Sequence, residues 1–348
     1  MQALKDIGGP AQPLLTITGL VKHFPLKKDP LGRGGGVVRA VDGVDFDVMK
    51  GETLGVVGES GCGKSTTARL LMQLIEPTRG EVIFDGREVG SRDLPLKEFR
   101  RQVQMVFQDS YASLNPRLTI EDSVAFGPQV HGLSRRESVA RARDLLARVG
   151  LAPQRFAERY PHELSGGQRQ RVNIARALAL QPRMVILDEA VSALDKSVEA
   201  QVINLLLDLK AEFGLTYVFI SHDLNVVRYV SDRVMVMYLG QVAEIGPADA
   251  LYETPAHPYT RALLSSMPSM DPDHRTEVAA LAGDPPNPID PPTGCRFHPR
   301  CSIAAPVCSQ VVPERIAMNS QHAVSCLVHE PGSGHPMAQP QPFQRQAA

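Results

Sequence analysis

Three short runs, met in a fixed order, limit this chain more than any other feature. Gly58-Glu59-Ser60-Gly61-Cys62-Gly63-Lys64-Ser65 comes first, and Leu164-Ser165-Gly166-Gly167-Gln168 second. The third is the apolar run Met184-Val185-Ile186-Leu187, which ends in Asp188-Glu189. The first run fits GxxxxGK[ST] and has the context that pattern needs, with Thr53–Val57 reading as a strand before it and Ser65–Ile75 as a helix after it. Glycines let successive backbone N–H groups turn inward around β- and γ-phosphates, and the helix beginning near Gly63 adds its positive dipole end. Lys64 supplies a positive charge to the phosphates and Ser65 a hydroxyl for Mg2+. Gly58, Ser60, Gly61, Cys62, Gly63, Lys64, Ser65 and Thr66 therefore form the expected phosphate cradle. Asp188, at the end of an apolar strand, can hold the magnesium through water, and Glu189 can orient and polarise an attacking water. The Ser-Gly-Gly loop opens a helix twenty residues before the acidic strand. That combination points to an ATPase that completes its active site with a second copy of the fold.

The bulk numbers agree with a globular protein and remove other classes. Apolar content is 43% and charged content 22%, which leaves material for a sizeable core in 348 residues. A net charge of −1 gives no footprint of nucleic-acid binding. No run reaches eighteen apolar residues, and the N-terminus lacks a basic start followed by an apolar stretch. The expectation is a protein made and kept in the cytosol, with no spanning segment.

Along the chain, Leu14–Val21 reads as a first strand and residues 25–36, with four glycines and two prolines, as a long loop. Val37–Met49 alternates as a half-buried strand, and Gly80–Gly86 reads as another. Residues 118–162 are expected to be helix-rich, with Arg135–Val149 helical. From 184 onward, strands at Met184–Leu187, Thr216–Ile220 and Val234–Met237 alternate with helices at Val198–Phe213 and Asn225–Val230. Such alternation predicts a parallel sheet wrapped by helices. Beyond about residue 245 the pattern weakens, and residues 331–348 read as a disordered tail.

Five cysteines are present, one in the phosphate loop and four at Cys295, Cys301, Cys308 and Cys326. In a reducing compartment such a quartet suggests metal binding more than disulfides. The spacings of five, six and seventeen residues are wider than the usual zinc pairs and suit an iron–sulfur cluster. Zinc, or merely reduced structural cysteines, remain alternatives.

With these residues in place, the chain resembles the nucleotide-binding subunit of an ABC transporter. The resemblance covers about residues 14–245. It implies an α/β ABC-type P-loop NTPase with a RecA-like core, an antiparallel β subdomain and a helical subdomain near 109–180, the whole spanning about 1–250. It assigns Phe24 to stacking on adenine and Gln108 to a glutamine that touches Mg2+ and senses the membrane partner. Ser165, Gly166, Gly167 and Gln168 match the signature loop that binds the γ-phosphate of the opposite subunit. Asp195, in Ser192-Ala193-Leu194-Asp195, matches the loop at the dimer seam, and His222 the switch histidine. Glu189, His222 and Gln108 become the catalytic set, with Ser65, Gln108 and Asp188 around Mg2+.

A narrower resemblance, to dipeptide and oligopeptide importers of the second-ATPase type, rests on Gln108–Pro116, Tyr160–Gln168 and His257-Pro258-Tyr259-Thr260. It implies a C-terminal extension over 251–330 whose four cysteines hold a [4Fe–4S] cluster. It also implies a second ATPase subunit, two membrane permease subunits and an external solute-binding protein, with this chain peripheral on the cytoplasmic side of the inner membrane. Ser110 stands where that group has proline. The rival readings are a soluble ABC-type ATPase not coupled to transport, a non-hydrolysing regulatory partner, and an importer of glutathione or a nickel chelate.

Overall fold

The computed structural model describes residues 9, 12–26, 35–267 and 283–338. Most of the expected 25–36 loop, at 27–34, lies outside the described residues, as does the tail from 339 onward. In chain order the elements begin with β1 (Pro13–Leu26), β2 (Gly36–Met49), β3 (Thr53–Val57), α1 (Lys64–Leu71), β4 (Arg79–Phe84) and β5 (Arg87–Glu88). Next come α2 (Leu96–Gln102), β6 (Val103–Val106), α3 (Ile120–Val130), α4 (Arg135–Arg148), α5 (Pro153–Phe156) and α6 (Gly166–Leu178). They are followed by β7 (Met184–Asp188), α7 (Lys196–Phe213), β8 (Thr216–Ile220), α8 (Leu224–Val230), β9 (Arg233–Tyr238) and β10 (Gln241–Pro247). The chain closes with α9 (Ala248–Glu253), α10 (Pro258–Ser265) and the two-residue strands β11 (Ile316–Ala317) and β12 (Ala323–Val324).

β1 pairs antiparallel with both β2 and β4, giving a four-stranded sheet in the order β2-β1-β4-β5. The second sheet has the order β11-β12-β10-β9-β3-β8-β7-β6. Its strands β9, β3, β8, β7 and β6 run parallel, as the strand–helix alternation predicts. Apart from Gln104 and residues at strand ends such as Arg233 and Asp188, these strands are apolar, because both faces are covered. Val185, Leu187, Tyr217 and Phe219 face a core shared with α6 and α7, whereas Met184, Ile186, Val218 and Ile220 face one shared with α1 and the antiparallel sheet. The arrangement puts the loops after β3 and β7 at the same end of the sheet, on either side of β8, where ligands of such sheets bind.

Several boundaries differ from expectation for local reasons. α1 stops at Leu71 rather than Ile75, and Gln73 then takes a left-handed φ of 52° that no helix continues through. β10 returns beside β9 through a two-residue turn in which Leu239 and Gly240 both have positive φ, the geometry that suits a twisted hairpin. A leucine in that turn hides it from a search for Asn-Gly signals. The extension joins the same sheet, with β12 pairing on β10 through Glu244–Val324 and Ile245–Ala323. Residues 331–338, expected to be disordered, instead fold back: His335 is buried and its Nε2 lies 3.0 Å from the Ile303 carbonyl. Among the described residues no helix is long and apolar enough to cross a membrane.

Candidate active site

β3 delivers the chain into the Gly58–Ser65 loop, and Gly63, at φ 108°, is the N-cap of α1. Lys64 is buried and folds back over the loop, donating from Nζ to the carbonyls of Gly58 at 2.6 Å and Glu59 at 3.0 Å. Those carbonyls hold the ammonium where the phosphates would compete for it. Ser60 and Gly61 are exposed at the loop's tip, and Ser65 and Thr66 open the helix half-buried. Cys62 is buried, and burial pushes its thiol above the usual range.

The acidic strand end meets this loop. Ser65 Oγ donates to Asp188 Oδ1 at 3.1 Å. Burial raises the Asp188 carboxyl above its ordinary range, only partly countered by that hydrogen bond, and nearby Glu189 raises it further. A divalent cation would remove this penalty, so Ser65 and Asp188 suit Mg2+. Glu189 sits just beyond at φ 48°, an uncommon backbone conformation for a non-glycine residue, its N–H donating to the Ile220 carbonyl at 2.9 Å. Its carboxylate is bracketed: Gln108 Nε2 donates to Oε2 at 2.7 Å, and His222 Nδ1 lies 3.6 Å from Oε1. The three residues expected to be catalytic therefore stand together, from β7 and the ends of β6 and β8.

The signature residues lie at the start of α6. Ser165 is exposed and caps α6: its Oγ accepts from Gln168 N–H at 3.3 Å while Gln168 Oε1 accepts from Ser165 N–H at 3.0 Å. Gly166 lies near Leu194, and Gly167 packs so closely on Val198 that a side chain would collide with it. The loop is thereby held against the start of α7, where Asp195 is the exposed N-cap. Phe24 is exposed near the end of β1, with Lys22 Nζ 5.2 Å from its ring centre. An exposed ring in a strand is available to stack on a base.

Beside the catalytic group opens a groove of about 670 Å3 lined by Phe107, Gln108, Ser113, Phe126, Arg176 and Asp188, among others. Helix α6 fixes one wall: Asn173 Nδ2 donates to the Ser110 carbonyl at 3.0 Å, and Arg176 donates to the Ser113 carbonyl. Phe126 and Val130 of α3, with Tyr111, leave large apolar surface exposed nearby.

The four C-terminal cysteines line one small apolar pocket. Burial pushes the Cys295 and Cys326 thiols up to about 11 and raises Cys301 too, while backbone N–H groups of Phe297, His298, Ile303 and Val328 act against that by hydrogen-bonding the sulfurs. Buried sulfurs that receive backbone N–H bonds are a donor set suited to a cationic group. The space is not: the cavity is about 20 Å3, room for a single water. Among the described residues no three His, Cys, Asp or Glu side chains are placed so that they could hold a metal ion. The expected quartet thus converges without closing on a common point, and loading would require its walls to part.

Tyr259 and Arg300, both of which touch Glu59 of the phosphate loop, were not expected at this site. His257-Pro258-Tyr259 was a visible signal for the first, and nothing local marks the second.

Residues 41–192 match the family described as ABC transporter, and residues 243–308 the family described as oligopeptide/dipeptide transporter, C-terminal region. The chain is 51% identical to the probable peptide ABC transporter ATP-binding protein y4tS of Sinorhizobium fredii over 92% of this chain and 91% of that protein. It is 49% identical to the oligopeptide transport ATP-binding protein AppF of Bacillus subtilis, over 91% of this chain and 97% of that one. Among solved structures, the dimeric post-hydrolysis state of the ATP-binding cassette MJ0796, bound to ADP and Pi, superposes with a TM-score of 0.59 at 31% identity, covering 67% of this chain and 98% of that one.

Proposed function

The chain belongs to the ABC transporter ATP-binding proteins, and on that premise we propose that its ATP hydrolysis drives import of dipeptides or oligopeptides. The observation that carries the reading is the joining of two parts in one sheet. The segment of peptide-transporter type, residues 243–308, begins within β10, which pairs with β9 in the same sheet whose β3 and β7 lead into the phosphate loop and Glu189. In this reading Lys64 and the loop amides hold the phosphates, and Ser65, Gln108 and Asp188 hold Mg2+, which neutralises charge on the phosphate oxygens. Glu189 accepts a proton from water as that water's oxygen attacks the γ-phosphorus and the bond to ADP breaks, with His222 and Gln108 holding the carboxylate in place. Ser165–Gln168 and Asp195 serve the nucleotide of a second ATPase subunit.

The groove beside Gln108 receives a cytosolic segment of one of two permease subunits, which in turn meet an external solute-binding protein. The chain thus sits peripherally on the cytoplasmic face of the inner membrane. The test is uptake of a labelled dipeptide and a labelled oligopeptide in cells lacking the chain. Uptake is expected to fall to background, and to return with a Ser113→Cys or Asn115→Cys copy that also crosslinks to a permease. Undiminished uptake of both would favour an ATPase not coupled to peptide transport. Crosslinks formed only from the region of Gln321 would overturn the docking surface.

A second reading concerns the thiol pocket: Cys295, Cys301, Cys308 and Cys326 hold a [4Fe–4S] cluster with a structural role. Its support is the convergence of four partly or fully buried cysteines on one pocket, three of them with backbone N–H donors, although the pocket must widen to admit the group. Protein purified without oxygen is expected to contain iron and acid-labile sulfide and to lose both with Cys301→Ser and Cys308→Ser. Zinc, no metal, or iron unchanged by the substitutions would reject the cluster.

A further inference from the structure

Glu59, the second residue of the phosphate loop, is gripped by the C-terminal segment at both backbone and side chain. Its N–H donates to Tyr259 Oη at 2.9 Å. Its carboxylate accepts a two-pronged pair from Arg300, Nη1 to Oε2 at 2.7 Å and Nη2 to Oε1 at 3.0 Å. Toward the nucleotide, the Glu59 carbonyl accepts from Lys64 Nζ at 3.0 Å and from Cys62 N–H at 3.3 Å. A parallel grip lies alongside. Arg296 pairs with Asp42 and donates to the Leu239 carbonyl, and the next residue, Gly240, donates its N–H to the Cys62 carbonyl at 2.9 Å. Between the grips, Tyr238 packs against Tyr259 with ring centres 4.6 Å apart, and Phe297 lies 5.3 Å from each. The Arg300 side chain is 5% exposed and that of Glu59 22%, so the pair is held and largely shielded from water.

Two physical consequences follow. A carboxylate within the phosphate loop carries the same sign as the triphosphate, and at partial burial that repulsion is poorly screened. Arg300 cancels the charge through the geometry that guanidinium and carboxylate share best. Tyr259 pins the Glu59 N–H and so fixes the peptide plane it shares with the Gly58 carbonyl, which accepts from Lys64 Nζ at 2.6 Å.

We propose that Arg300 and Tyr259 are positioning residues of the nucleotide site, holding the phosphate loop through Glu59 so that the C-terminal segment sets the affinity for ATP. The proposal rests on the assignment of the Lys64 loop as the ATP site. In the assembled transporter, Arg300→Met is expected to raise KM for ATP about tenfold while kcat at saturation changes by less than about twofold, the pattern of lost binding. Arg300→Lys, which keeps the charge and loses the fork, falls between. Glu59→Gln placed in the Arg300→Met background brings KM back toward wild type, because the like charge is gone. A role confined to folding would lower the melting temperature and the yield without a KM change of this kind.

Should Arg300→Met not fold, Tyr259→Phe decides, since it removes one oxygen; its KM is expected to rise about threefold. KM within about twofold of wild type in the folded Arg300→Met or Tyr259→Phe protein, or no relief by Glu59→Gln, would overturn the proposal. Lys64→Ala separates the two ideas: full ATP binding in that variant would reject the site assignment itself.

Discussion

Glu189→Gln is expected to cut ATP turnover by ~100- to 10,000-fold while leaving ATP bound. The side chain keeps its length and its place beyond Asp188, so packing and phosphate contacts survive. What disappears is the anionic oxygen that takes the proton of the attacking water. Gln108 now donates to Oε2 and His222 stands near Oε1. An amide can still accept from Gln108 through its oxygen, but its NH2 end carries no negative charge and cannot take a proton from water. The backbone adds a second reason. Glu189 holds a left-handed φ anchored by the Ile220 carbonyl, so the residue cannot drift to another carboxylate's position and a neighbour cannot replace it. ATP retained without turnover should also trap the closed pair of ATPase subunits. Steady-state phosphate release, with nucleotide retention after rapid gel filtration, checks both halves. Turnover within about tenfold of wild type would remove Glu189 from the role of base.

The parts of this site that were readable in the sequence are those whose chemistry is local. A strand, a glycine turn and a helix start within one short stretch specify the phosphate loop, and an apolar strand ending in two carboxylates specifies its partner. Even the meeting of Gln108, Glu189 and His222 follows once each is placed after a parallel strand, because neighbouring strand ends converge. The parts that were hidden depend on pairs with no local signature. Arg300 meets Glu59 across 241 positions, and Tyr259 across 200. Strands β11 and β12 have two residues each, too short to show any alternation, and they form only because β10 offers an edge. The folding back of residues 331–338 has the same origin: His335 is polar and lies in a Pro- and Gly-rich stretch, yet the thiol pocket and the Ile303 carbonyl give it a buried place.

Gly63→Ala is expected to abolish nucleotide binding as fully as Lys64→Ala, although it removes no charge and no hydrogen-bonding group. Gly63 sits at φ 108° as the N-cap of α1, and a methyl group built on it would overlap the backbone carbonyl oxygen of Ala40 on β2. Backbone cannot swing aside as a side-chain end can, and Ala40 is tied in by its neighbours: Asp42 N–H donates to the Gly240 carbonyl while Gly240 N–H holds Cys62. The alanine would also bear the penalty of a left-handed conformation, about 1–2 kcal/mol. The loop must therefore shift, taking with it the amides that should face the phosphates and the start of the helix dipole behind them. Lys64→Ala reaches the same end by another route, since it deletes the ammonium now parked on the Gly58 and Glu59 carbonyls. Titration of the full chain with a fluorescent ATP analogue should show affinity reduced at least about 100-fold in each variant, roughly the loss of one strong charged contact or of several loop amides together. Circular dichroism should remain that of the folded protein, because the core strands β3 and β7 do not depend on either side chain. If Gly63→Ala binds the analogue as tightly as wild type while folded, the loop is not the rigid cradle that its contacts with Ala40 and Gly240 describe.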